Sequence, residues 1–590
     1  MRWDLSKLYS SFEDEALQRD FKRVEDYIGI MKEWAGGNLD SATEPVRKIE
    51  EYINMEIDIT NHVIKLLVFS HLNLSVNAKN DKAAGSLGKI QERVSEFTKW
   101  QVLFQKWLSK IENLEAVIIS SRLLQEHGFY LKELVSKSKT LLSDQEEYII
   151  AKMSNTGGKA WSKLQQVLTA TLLVDINING EEKSLPLPEV RNMAFHKSPE
   201  VRRLAYEAEL KAYEKIAESS AACLNGIKGE TITIGKLRGA GSPLEETLVN
   251  SRMKRETLEA MLTAMVESLP SFHRFFKRKA ELLGHAYGLP FYDLFAPMGE
   301  SNLTFTLEEA RDYIIGNFNN FNPELGQYVK RAFDNNWIDS EVYPGKSGGA
   351  FCSNIHPIKE SRILVNFDGS FKNVTTLAHE LGHGYHGQCL IEESILNSTY
   401  PMPLAETASI FAETILVKDA LERASKEDSF AILENEITQA AQVIVDIYSR
   451  YLFETAVFDR RIDHNLSVKE LNEIMLEAQK TAYGNGLDHN FLHEYMWVNK
   501  VHYYYPTRHF YNFPYAFGLL FSKGLYSLYL KNRSGFPQRY KELLAATGKM
   551  SIEDVAKIMD IDVTDISFWR SSLKLVAEDI ELFIKLSEAK

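Results

Sequence analysis

Two histidines four residues apart, His379 and His383, enclose a glutamate in His379-Glu380-Leu381-Gly382-His383. On a helix this spacing puts both imidazoles on one face, one turn above the other. Both can then reach one metal ion, and neutral imidazole is a good ligand for Zn²⁺. Glu380, beside the first histidine, stands where a carboxylate can take a proton from an activated water. The same five letters also fit an amphipathic helix with hydrogen-bonded, half-buried histidines, so the surroundings must decide.

A catalytic zinc wants three protein ligands and one open position. His386 shares the helical face but sits roughly 10 Å along the axis from His379, too far to share the ion. It is expected at a helix end or facing the core. The metzincin pattern would place glycine and histidine where this chain has His386 and Cys389, so that class is excluded. The remaining option is a glutamate on a second helix. Pro401 and Pro403 mark a fresh helix start, with Glu406 in its first turn. A short connection folds that helix back antiparallel and brings Glu406 to the histidines. Glu413 shares its face, and its spacing suits either a carboxylate holding a ligand histidine or a plain surface ion pair.

The elements that must position these residues are mostly helical. From Asp14 to about Leu172 apolar residues recur at three- and four-residue intervals, over 12–34, 42–76, 83–111 and 114–134. Leu173–Asn179 alternates and ends in Asn179-Gly180, a hairpin signature. A boundary follows near residues 180–195, giving an N-terminal helical lobe (1–190) and a catalytic domain (191–590). Helical patterning resumes over 198–222, 256–283 (kinked or restarted at Pro270) and 307–319. Between about 335 and 370 lie a glycine-rich turn through Ser347-Gly348-Gly349 and a β-rich run, Arg362–Phe367. A strand thus lies directly before the histidine helix. Gly345-Lys346-Ser347 lacks the upstream glycine of a phosphate loop. Gly239-Ala240-Gly241 lacks the third glycine of a dinucleotide fingerprint; Thr231–Ile234 before it has strand-like composition, yet Pro243 disrupts the helix that should follow. Both are turns.

The extended text resembles the oligoendopeptidase F branch of the thimet oligopeptidase-like zinc peptidases. The resemblance covers most of the chain. It is carried by Trp3–Tyr9, Phe291–Pro297, Ser347–Phe351, Val365–Phe367, Leu377–His383, Ala405–Ser409 and His509-Phe510-Tyr511 with Pro514-Tyr515. It implies a mainly α, two-lobed protein with a deep central channel and a small β-sheet beside the zinc-site helix. It implies one catalytic zinc and cleavage of oligopeptides at internal bonds. A strand at Leu364–Phe367 could pair with substrate backbone by β-augmentation. The resemblance also implies that His509, Tyr515 and Tyr511 stabilise the oxyanion, with His502 as a further candidate. The tail Ala516-Phe517-Gly518 departs from the tyrosine-rich form of many relatives.

The expected reaction is therefore peptide hydrolysis at a zinc held by His379, His383 and Glu406, with Glu380 as general base. Rival readings are a zinc carboxypeptidase or dipeptidyl carboxypeptidase of similar build, and a non-catalytic peptide-binding protein with structural zinc. The net charge of -13 argues against nucleic-acid or anionic-membrane partners. Three scattered cysteines, no apolar leader and no long apolar run point to a cytoplasmic protein. Oligomeric state leaves no signal.

Overall fold

The computed structural model describes residues 1–178, 180–299 and 301–588. The chain is mainly helical, with one two-stranded and one three-stranded sheet among the described residues. The N-terminal region rests on α1 (Glu15–Asn38), α2 (Pro45–Val76) and α3 (Asp81–Leu108). Asp14 accepts from the Ala16 N–H and Asn80 from the Ala83 N–H, satisfying amides that a helix start leaves unpaired. Leu17, Val24 and Met31 of α1 meet Ile49, Tyr52 and Leu66 of α2 and Phe104 of α3 in one core. The stretch 114–134 is not one helix but three short ones, Leu114–Ile119, Arg122–Glu126 and Gly128–Ser138. The Ser121 hydroxyl accepts from the Leu124 N–H, the local bond by which serine competes with helix continuation.

Strand β1 (Leu173–Ile178) pairs antiparallel with β2 (Glu181–Pro186). Of the expected Asn-Gly turn, Asn179 lies outside the described residues. Next come α4 (Pro199–Tyr213), α5 (Ala217–Leu237) and α6 (Arg255–Leu282). Thr231–Ile234, strand-like by composition, lie within α5, whose Leu224 and Ile227 enter the large core. Tertiary packing here overrides local propensity. Helix α6 runs through Pro270 without restarting.

Strands β3 (Ile338–Asp339), β4 (Phe351–Ile355) and β5 (Glu360–Leu364) form a sheet in the order β3-β5-β4. The β-rich run thus ends as a strand at Leu364, and β5 is central, paired on both sides. Leu364 is therefore already paired on both sides, and Val365 and Phe367 donate their N–H groups to Asp339 O and Ser340 O; the sheet's edges are β3 and β4. The glycine-rich turn is tied down: Ser347 N–H donates to Ser75 O at 2.8 Å, and Lys346 Nζ lies 2.7 Å from Asp339 Oδ1.

Beyond the sheet lie α7 (Phe371–Leu390), α8 (Thr407–Arg423), α9 (Lys426–Ala441), α10 (Ile447–Arg461), α11 (Phe513–Lys531) and α12 (Ile566–Ser587). A π-helical segment, Gln442–Asp446, joins α9 to α10. Leu377 and Leu381 of α7 pack with Phe411 and Leu416 of α8, Phe517 of α11 and Trp569 of α12. No helix among the described residues is long and apolar enough to cross a membrane.

Candidate metal centre

Helix α7 starts at Ser370, whose side chain accepts from the Asn373 N–H. Its apolar face, through Leu377, Ala378 and Leu381, is fully buried, which fixes the rotation of the helix and turns His379 and His383 to the opposite side. Their rings lie 4.9 Å apart, centre to centre. Helix α8 crosses close above them. A Cβ on Gly382 would stand 2.6 Å from the Ala408 carbonyl oxygen, so only glycine permits this approach. On the other side of Glu406, a Cβ on Gly518 of α11 would stand 2.8 Å from the Glu406 Cβ. Glu406 occupies the joint between a short helix, Met402–Ala405, and α8.

The result is a convergent donor set. Glu406 Oε2 lies 3.2 Å from His379 Nε2 and 3.4 Å from His383 Nε2. One ligand atom from each of these residues falls within 4.8 Å of the others. Glu413, one further residue of α8, approaches His379 from behind, its Oε2 3.2 Å from Nδ1. Burial disfavours a charge on His379, but the hydrogen bonds to Glu406 and Glu413 outweigh it and raise its pKa to about 10. The pocket is thus electrostatically prepared for positive charge. Two imidazole nitrogens and one carboxylate, half-buried and facing one point, fit a divalent zinc with an open position. The β4 residue Asn354 donates from Nδ2 to His383 O at 2.9 Å and ties the sheet edge to this helix.

Glu380 is only 6 % exposed. Burial raises its pKa above the usual carboxylate range, with the two histidines opposing. His386 is buried, stacked on Tyr400 with centroids 4.0 Å apart and bonded through Nε2 to Thr547 Oγ1 at 2.8 Å. It is a core histidine and joins no ligand set.

The stretch leading into α11 and its first turn divides its residues between two environments. Phe510 has a positive φ of 50°, unusual for a bulky residue, and the chain reverses there. Tyr515 lines the pocket shared with His379, Glu406 and Glu413. Burial, then a hydrogen bond with Tyr511, raises the Tyr515 pKa and keeps its hydroxyl protonated. Tyr511 stands 6.0 Å from the Tyr515 ring and 4.7 Å from the His502 ring, measured between centroids. His502 Nδ1 in turn lies 2.8 Å from Asn512 Oδ1. His509 is not brought to this group. Its ring is buried at 5.3 Å from Phe458 of α10, and its Nε2 lies 3.0 Å from Thr231 Oγ1 of α5.

Sequence reasoning missed what holds that turn. Glu454 Oε2 accepts the Phe510 N–H at 3.0 Å, and Glu454 Oε1 lies 2.6 Å from Lys228 Nζ. Lys228 and Glu454 come from helices far apart in sequence, and no local pattern distinguishes them from solvated charges.

Residues 192–575 match the family model described as Peptidase family M3, and residues 110–172 match one described as Oligopeptidase F. Group B oligopeptidase PepB of Streptococcus agalactiae is 23% identical, the match covering 98% of this chain and 95% of that protein. Oligopeptidase PepF of Bacillus subtilis is 23% identical, with 100% and 88% covered. Among solved structures, a putative peptidase from Chlamydophila abortus superposes with a TM-score of 0.85 at 20% identity, covering 99% of this chain and 98% of that one. An oligoendopeptidase-F from Enterococcus faecium gives 0.72 at 17% identity, covering 98% and 99%.

Proposed function

Because the chain belongs to peptidase family M3, and is therefore a peptidase, we propose that it is a zinc-dependent oligoendopeptidase cutting internal bonds of short, unfolded peptides. The observation that carries this reading is the meeting of His379, His383 and Glu406 beside the buried carboxyl of Glu380. Those three residues would hold the ion, and zinc bound there would supply a Lewis acid that polarises the scissile carbonyl and acidifies water.

In this reading Glu380 takes a proton from the attacking water on its carboxylate oxygen as the C–O bond forms. It then delivers that proton to the amine nitrogen as the C–N bond breaks. Burial favours the protonated carboxyl between these two transfers. The Tyr515 hydroxyl, with Tyr511 beside it, donates to the oxygen that becomes negative in the tetrahedral state. His509 contributes by anchoring the turn that presents Tyr511. The exposed edge of β4 next to α7 is the strand against which an extended peptide would lie.

The test is digestion of end-blocked and free internally quenched peptides, with and without chelator, with products mapped by mass. Chelator-sensitive cleavage of blocked peptides at internal bonds is expected. Cleavage confined to free C-termini, or indifferent to chelation, would overturn the reading. Glu380→Gln should keep its metal while kcat falls by about 10²–10⁴; near-normal turnover would remove Glu380 as the base.

A further inference from the structure

A cavity of about 270 Å³ lies on the far side of the α9–α10 helix from the metal centre. Gln442 and Asp446 line it, whereas Ala440 and Val443, on the other face of the same helix, line the pocket beside His379 and Glu406. The wall between them is the π-helical segment, an irregularity that often marks a functional site.

The charges around this cavity do not balance. Arg191 pairs with Glu209 at 3.1 Å, and Arg450 pairs with Asp446. Lys500 also lines the cavity, but no described residue accepts a hydrogen bond from its ammonium or forms an ion pair with it. Burial, reinforced by the like charge of Arg450, pushes its pKa down to about 7. Two further side chains at the same wall hold unused polar atoms. Arg450 Nε is buried with no partner, and neither ring nitrogen of His493, only 2 % exposed, makes a hydrogen bond. The nearest carboxylate oxygen to His493 Nε2 is on Glu209, at 3.5 Å. Buried donors without acceptors are costly and uncommon; Arg450 Nε and His493 are two such groups, and with the unpaired Lys500 ammonium at the same cavity they call for a ligand rich in acceptor oxygens.

We propose that this cavity is a second binding site, for a small organic carboxylate, with Lys500 as counter-ion and Arg450 and His493 donating to the carboxylate oxygens. A carboxylate bound beside Lys500 would favour its charged form, one negative charge for one cation. Tyr292 and Phe295 supply an aromatic wall for an apolar substituent. The volume lies just under the range of about 300–1,000 Å³ usual for ligand pockets, which suits an acid of single-amino-acid size and excludes an oligopeptide. The site also touches the catalytic machinery indirectly. Arg450 Nη1 donates to Asn512 Oδ1 at 3.0 Å, the oxygen that His502 Nδ1 also approaches, next to Tyr511.

Calorimetric titration of the full-length protein with benzoate, acetate and the uncharged isostere benzamide tests this. Saturable benzoate binding is expected, tighter than acetate, unchanged by prior chelation of the metal, and absent for benzamide. Lys500→Met should weaken benzoate by about tenfold or more, the scale of one charge-assisted contact, while Lys500→Arg retains it. Phe295→Trp, which fills the cavity, should abolish binding by a route independent of charge. Peptide hydrolysis by Lys500→Met at the wild-type rate would show that the variant folds. Absence of saturable binding by the wild-type protein overturns the proposal. So does benzoate binding that chelation removes and Lys500→Met leaves intact, because that places the ligand at the metal centre.

Discussion

Glu413 Oε2 stands 3.2 Å from His379 Nδ1, while the opposite ring nitrogen of His379 faces Glu406. One imidazole is thus held between two carboxylates seven residues apart, Glu406 at the start of α8 and Glu413 within it. The rear hydrogen bond fixes the ring orientation and places the proton on Nδ1, which leaves Nε2 free as a ligand.

Glu413→Gln is therefore expected to lower metal affinity by about 10–100-fold with little change in fold. Competition with a graded series of chelators measures it directly. An affinity equal to wild type would mean that the Glu413–His379 contact is incidental.

Gly382→Ala should disrupt the centre without touching a ligand. The added methyl meets the Ala408 carbonyl at 2.6 Å, so α7 and α8 must separate. Overpacking of this kind costs about 1–3 kcal/mol, and it draws Glu406 away from the histidines. Substoichiometric zinc in the purified variant, with a lowered melting temperature, is expected. Full zinc occupancy at wild-type stability would show that the helices can yield.

Tyr515→Phe removes the hydroxyl of a side chain that lines the pocket and should reduce kcat by about 10²–10³ with KM nearly unchanged. His509→Gln should act differently, since the His509 side chain packs on Thr231 and Phe458 and not on the ligands. Its main effect is expected on stability. If His509→Gln instead keeps full stability and loses kcat as steeply as Tyr515→Phe, the division of the two residues is wrong.

Acid should destabilise the protein through its buried neutral histidines. Burial first, then the charge of His383, pushes His386 down to about 3, and burial with Lys228 nearby pushes His509 well below its ordinary range. In the unfolded chain both would protonate below about 6.5. The unfolded state then binds more protons, so their contribution is complete above that pH and is lost as pH falls toward 3. Thermal unfolding of metal-free protein between pH 7.5 and 4.5 should show a smaller acid loss for His386→Gln than for wild type. Parallel curves would count against this source.

Much of the centre was legible in sequence because it is local. The four-residue spacing of His379 and His383 is set by helical geometry, and Pro401 and Pro403 announce the start that carries Glu406. The mainly helical class and the small sheets also follow from periodicity and composition, because burial of a repeating apolar face needs no knowledge of the partner surface. What lay beyond reach depends on residues distant in the chain. That β5 is central while β4 forms an edge depends on pairing with β3, where Ile338 lies opposite Ile363, far upstream in the chain. That His509 turns into the core while Tyr515 faces the pocket depends on the positive φ of Phe510, held by Glu454 and Lys228. The unpaired Lys500 is visible only once Arg191, Glu209, Asp446 and Arg450 are assembled around it. Sequence alone determined which groups could do the chemistry, because residue type and helical spacing are local properties. Tertiary structure decided where each one points and which charge lacks a partner, because burial and ion pairing are properties of the assembled chain.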